Sequence, residues 1–211
     1  MNIKLFYAFF LISTFITNFA NAYLTTSESG ELVKPGQYRF GVIPQLRMSD
    51  GSGTNLSGFI DTPFNDESSI RAQIGFGETD VEAAASYKWI PIPDYDNQPA
   101  IGGKVEASFA RKGNVNINSI RFLPLISKSF DSKQGVFIPY GSVPISLMNS
   151  STTSATAVQL VVGSEYVNPD NKNWVFSAEL GLNFSNAFTY ISGAVTYVLE
   201  DIEITPRKRK K

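Results

Sequence analysis

From about residue 36 onward the chain alternates apolar and polar side chains with period two, over unusually long stretches. In 69–77, Ile70, Ala72, Ile74 and Phe76 oppose Arg71, Gln73 and Gly75. In 81–91, Val81, Ala83, Ala85, Tyr87 and Trp89 oppose Glu82, Ala84, Ser86 and Lys88. In 173–185, Trp174, Phe176, Ala178, Leu180, Leu182 and Phe184 oppose Ser177, Glu179, Gly181 and Asn183. Period two places successive side chains on opposite faces of a strand, and no helical periodicity of useful length competes with it. Clusters such as Ser49-Asp50-Gly51-Ser52-Gly53, Lys112-Gly113-Asn114 and Asn168-Pro169-Asp170-Asn171 separate the stretches. They supply positive φ, fixed φ or local side-chain hydrogen bonds, so they read as turns. The pattern predicts ten strands, at 36–48, 54–62, 69–77, 81–91, 99–111, 114–127, 134–148, 154–167, 173–185 and 187–199, with eight as the fallback count. Hairpins without helices form a meander, closed as a barrel or folded as a sandwich.

The two outcomes bury opposite faces. A soluble sandwich hides the apolar face in its core, whereas a membrane barrel turns it to lipid and lines the lumen with the polar face. Three features favour lipid. The predicted strands run 9–15 residues, where a tilted membrane strand needs about 9–11 and an ordinary one about 5–6. The polar face is rich in small residues and carries charges mid-strand. With both ends of the meander on one side, Tyr38, Tyr87, Trp89, Tyr166, Trp174 and Tyr197 fall at one level, as an aromatic girdle at a lipid–water boundary would. The expected fold is therefore an all-β, antiparallel up-and-down transmembrane β-barrel.

The closing strand adds a family pattern. Ser192, Ala194, Tyr197 and Leu199 stand where small outer-membrane β-barrel proteins of Gram-negative bacteria carry a polar residue, a glycine, and an aromatic or apolar pair. Ala194 replaces the glycine, Leu199 replaces the usual terminal Phe, and twelve residues follow. Together with the amphipathic strands, the chain resembles that family in pattern. The resemblance implies a bacterial outer membrane, lipid and lipopolysaccharide as surroundings, and contact with the barrel-insertion machinery.

The ends fit export. Asn2 and Lys4 precede an apolar run from Leu5 to Ile16, and Ala20-Asn21-Ala22 offers small residues for cleavage before Tyr23. Such a segment reads as a removable signal peptide. The expected organisation is a signal peptide over 1–22, a flexible periplasmic lead-in over 23–35, the barrel over 36–199 and a basic tail over 200–211.

Composition narrows the chemistry. Lys plus Arg is 18 against 19 for Asp plus Glu, so the basic excess of a nucleic-acid binder is missing. Neither Cys nor His is present, which removes disulfides, thiol nucleophiles, His-based triads and the usual zinc sites. No cofactor, metal or catalytic set is expected. The inward face carries Arg39, Arg47, Arg71, Lys88 and Lys104 against Asp61, Glu82, Glu106, Glu165 and Glu179. Balanced charges in a narrow barrel predict cross-strand ion pairs that fill the interior. Glu179 in particular is expected to need cationic partners, because an unpaired buried charge is costly.

Strands six and seven break the pattern. Ile120, Phe122, Leu123, Leu125 and Ile126, then Val136, Phe137, Ile138 and Tyr140, are apolar on both faces, and Pro124, Pro139 and Pro144 interrupt them. These prolines predict bulges or kinks. The expected function is a non-enzymatic barrel with a structural or surface-interaction role. The alternatives are a narrow channel for small apolar molecules, suggested by strands six and seven, and a soluble exported β-sandwich binding module.

Overall fold

The computed structural model describes residues 26–49, 53–151 and 153–200. The expected cleavage residues Ala20 and Ala22, and the basic tail, lie outside them. Strands β1 (Gln37–Arg47), β2 (Gly53–Asn65), β3 (Ser68–Gly77), β4 (Val81–Ile92), β5 (Ala100–Lys112) and β6 (Val115–Ser127) pair in sequence. The chain continues through β7 (Phe130–Ser132), β8 (Gly135–Ser142), β9 (Ile145–Ser150), β10 (Ser154–Val167), β11 (Trp174–Ser185) and β12 (Tyr190–Glu200). β1 pairs antiparallel with β2 and with β12, so the sheet closes on itself.

β8 and β9 are two halves of one wall strand, because each lies between β6 and β10. The short β7 pairs with β8. Counting β8 and β9 once, and leaving out β7, which pairs only with β8, gives a closed, antiparallel, ten-stranded barrel, as the alternation predicts. The strand expected over 134–148 is interrupted at Val143 and Pro144. Pairing with β6 lapses between Ser142↔Leu125 and Ile145↔Phe122, where Pro124 faces the break. Prolines lack the N–H a ladder needs, so two of them at one level open it.

The wall is apolar outside and carries its buried charged side chains within. On β3, Ile74 and Phe76 are 51% and 55% exposed, while Arg71 and Gln73 are 5% and 7% exposed. Phe40, Leu46, Leu56, Val105, Ile120 and Leu182 are among the other outward apolar side chains. Such an exterior would be a large aggregating patch in water and is the natural surface of a barrel in lipid.

The first correction concerns residues 23–35. The described part of this stretch is no loose lead-in: Thr26, Ser27, Glu28, Ser29 and Val33 are buried. The chain turns at Lys34–Gly36, where Gly36 has φ 78° and Gln37 N–H donates to Lys34 O at 3.0 Å. Residues 26–33 thereby run back inside the barrel. The second correction concerns the last strand, which begins at Tyr190 and not at 187. Asn186, with φ 50°, ends the run from β11. Ala187 and Phe188 then fold inward and are buried.

Candidate functional site

The lumen is occupied, and its wall explains how. Lys88 of β4 and Lys104 of β5 are directly opposed in the ladder. Like charges so placed repel. Glu28 of the inserted segment resolves the conflict: its carboxylate pairs with Lys88 at 2.8 Å and Lys104 at 2.8 Å, with Arg71 at 3.6 Å. Lys88 Nζ also donates to Ser29 O (3.1 Å) and Glu31 O (2.8 Å).

Two neighbouring pairs are cross-strand, as expected. Asp61 and Arg71 are register partners on β2 and β3, joined by two hydrogen bonds of 2.6 and 2.9 Å. Arg71 also lies 3.9 Å over the Phe59 ring, a favourable cation–π placement. Glu106 and Arg121 are register partners on β5 and β6, paired at 2.9 Å. Lys104 completes the chain to Glu106 at 3.4 Å.

Other predicted lumen residues are held differently. Glu179 carries no cation among the described residues, which corrects the expectation of cationic partners. Its oxygens accept the backbone N–H of Thr26 (3.0 Å) and Ser27 (2.7 Å) and the hydroxyls of Tyr140 (2.8 Å) and Tyr190 (2.7 Å). Four donors stabilise a buried carboxylate as a counterion would. Glu165 accepts the Ser29 N–H at 2.5 Å. Glu82 accepts the Ser57 hydroxyl at 2.6 Å. Arg39 donates to Leu32 O at 3.3 Å.

Glycines make room for both tyrosines. Tyr140 faces Gly163, and Tyr190 faces Gly181, across the ladder. A Cβ would lie 2.4 Å from the Tyr140 ring at Gly163 and 2.1 Å from the Tyr190 ring at Gly181. A cross-strand aromatic covering a glycine pins register and seats the hydroxyl.

A different surface runs from the ends of β4 and β5 onto β6, β8 and β10. Ile90, Ala100, Leu125, Tyr140 and Val161 form a buried apolar cluster against which Leu32 packs. The apolar inner wall anticipated in strands six and seven is thus covered by the inserted segment. Beside that segment, a cavity of about 10 Å³ is lined by Ser27, Arg39, Asp61, Arg71, Glu165, Val175, Ser177 and Thr196. That is room for about one water.

At the far end, opposite the start of β1, Phe188 is held by Gln159 donating to its carbonyl at 2.9 Å. Arg47 sits 5.6 Å from its ring. Arg47 also pairs with Glu78 at 2.6 Å in the β3–β4 turn, which Lys112 reaches at 2.5 Å. The Lys112 hydrogen bond and the Arg47 charge hold the Glu78 carboxyl below its usual range, against the opposing pull of burial.

The aromatic set lies on the outside near the chain ends. Tyr87, Trp89, Trp174 and Tyr197 are exposed, Trp174 stacks edge-on with Tyr197 at 5.1 Å, and Tyr166 packs on Phe137 at 5.0 Å. Tyr38 is half-buried, facing Leu199 in the ladder.

A closed antiparallel wall with an apolar exterior and a charged, occupied interior defines the class: a membrane-spanning β-barrel. No family model matches the chain, and no curated protein matches it. Solved structures do. The translocator domain of autotransporter NalP from Neisseria meningitidis is 12% identical, with a TM-score of 0.45 over 81% of this chain and 90% of that one. A bacterial polysaccharide outer membrane secretin is 9% identical, with a TM-score of 0.40 over 80% of this chain and 67% of that one. Ail, the attachment invasion locus protein of Yersinia pestis, is 11% identical, with a TM-score of 0.31 over 77% of this chain and 97% of that one. Likeness at this level concerns the fold; the site stands on its own geometry.

Proposed function

We propose that the protein is a non-enzymatic β-barrel of the bacterial outer membrane, closed to solutes by its own residues 26–33, with a structural or surface-interaction role. The observation that carries this reading is the occupied lumen. The inserted segment fills the middle, and Phe188 folds in at the far end. A ten-stranded barrel is narrow to begin with, well below the 16–18 strands of an aqueous porin. The chain's lack of His and Cys supports the non-enzymatic part. In this reading the exterior meets lipid and lipopolysaccharide, and the barrel-insertion machinery assembles it.

Two measurements test the proposal. In membrane fractionation the protein should stay with the outer membrane through carbonate or salt washing, and its gel mobility should change on heating. In planar bilayers it should show no steady conductance. Extraction as a soluble protein would overturn the membrane assignment. Steady ohmic conductance would overturn the closed lumen and favour the narrow-channel alternative.

A further inference from the structure

We propose that the lumen is a binding groove for an acidic peptide, reading a carboxylate, a glycine two residues on and a leucine four residues on, with residues 26–33 as its resident ligand. The inference concerns the interior alone. Its failure therefore leaves the outer-membrane reading standing.

The first argument is how the segment is held. It is no strand of the sheet, and its backbone is met by wall side chains. Thr26 and Ser27 donate to Glu179, Ser29 to Glu165, and Gly30 to Ser127 Oγ at 3.0 Å. The carbonyls of Ser29 and Glu31 accept from Lys88, and that of Leu32 from Arg39. Side chains reaching from five wall strands thus grip one irregular backbone, kinked at Ser27, where φ is 42°. Such contacts give affinity without demanding a sequence.

The second argument is that three positions do demand one. Glu28 is the one carboxylate paired with Lys88 among the described residues, and it lies closer to Lys104 (2.8 Å) than the wall's own Glu106 does (3.4 Å). Gly30 is enforced by space, since a Cβ there would lie 2.7 Å from Ser127 Oγ and 3.0 Å from Ala100 Cβ. Leu32 fits the cluster of Ile90, Ala100, Leu125, Tyr140 and Val161. Charge, tight fit and apolar contact together make a specificity pattern of the form Glu-x-Gly-x-Leu.

The third argument is the connection. Residues 26–33 join β1 through Lys34, Pro35 and Gly36, all exposed. Cutting there would leave every contact named above intact.

The experiment makes the resident segment a separate molecule. A protease recognition sequence is inserted between Lys34 and Pro35 of the full chain, and the folded barrel is cleaved in detergent. The freed segment should co-elute with the barrel on size-exclusion chromatography. Excess fluorescent peptide of sequence Thr-Ser-Glu-Ser-Gly-Glu-Leu-Val should then replace it. Peptides carrying Glu28→Gln or Gly30→Val should bind about a hundredfold more weakly, as expected when buried cations lose their counterion or a tight site is overfilled. Because these changes sit in the peptide, the barrel's folding is not at stake; its heat-modifiable mobility verifies that it stays folded. Loss of the segment on cleavage would overturn the proposal. So would failure to exchange, which would make the segment a permanent strut, or equal binding of all three peptides.

Discussion

The barrel has two inner walls of opposite character. From β1 to β5 the buried lumen face is mostly polar or charged, with Gln45, Arg47, Ser57, Asp61, Arg71, Gln73, Glu82, Lys88, Lys104 and Glu106 beside a few apolar residues such as Ile43, Phe59 and Ile90. From β6 to β10 it is largely Leu123, Leu125, Ile138, Tyr140, Met148, Ala157 and Val161. The strands of the first wall are continuous; the second contains the break at Val143 and Pro144. One segment serves both, with Glu28 against the charged wall and Leu32 where the two walls meet, against Ile90 and Ala100 of the first and Leu125, Tyr140 and Val161 of the second. An inner face must be polar only where water or charge meets it. Where a side chain covers it, an apolar face is stable, and the alternation that marks a membrane strand disappears.

This contrast can be sharpened or broken by substitution. The largest effect should come from Glu28→Gln, which leaves Lys88 without its counterion and the opposed Lys104 with Glu106 alone. We expect a loss of about 3–5 kcal/mol, the scale for removing one partner of a buried charge set, read as a lower urea midpoint in detergent. Next is Leu125→Ala in the apolar wall, expected to cost about 3 kcal/mol for a buried leucine. If Glu28→Gln proved the milder of the two, the charged wall would not depend on the segment as described.

Ile120, 50% exposed on the outer face of β6, separates lipid from water. In liposomes Ile120→Arg should cost about 2–4 kcal/mol if placed near the bilayer centre. An outer face bathed in water would change by no more than about 0.5 kcal/mol. The smallest effect belongs to the far end, outside both walls. Lys112→Ala should change stability by less than about 0.5 kcal/mol, because its pair with Glu78 is exposed. Glu78 is depressed in the folded state. Its contribution is present above its ordinary value of 4.5 and is lost as pH falls through the lower folded value. Lys112→Ala should flatten that acid limb, visible in urea midpoints taken at stepped pH.

The wall was legible in the sequence because alternation and turn residues are local signals. The ten strands sit close to their predicted limits, and even the prolines of strands six and seven announced the break. The contents of the lumen were not legible. Residues 26–33 carry no periodicity, since their backbone is satisfied by side chains more than a hundred positions away, such as Glu165 and Glu179. Arg121 was hidden inside the run Ile120–Ile126, where alternation had lapsed, although it is buried in the lumen. Tyr140 and Tyr190 read as apolar residues, and only the fold brings their hydroxyls to Glu179. The opposed Lys88 and Lys104 were the one available signal. Once strands β4 and β5 are paired, two facing cations require a third party.

The inserted segment also bears on how the barrel is closed. It lies immediately before β1, and β1 closes the barrel against β12, the last strand. Its contacts to Glu179 span 153 and 152 residues of chain, which is loop closure at nearly the full length of the fold. Because Lys34, Pro35 and Gly36 tie it to β1, the segment reaches the lumen on the same strand that completes the wall against β12. Closing the seam and filling the lumen are thus both contacts between the two ends of the fold, made by one stretch of chain.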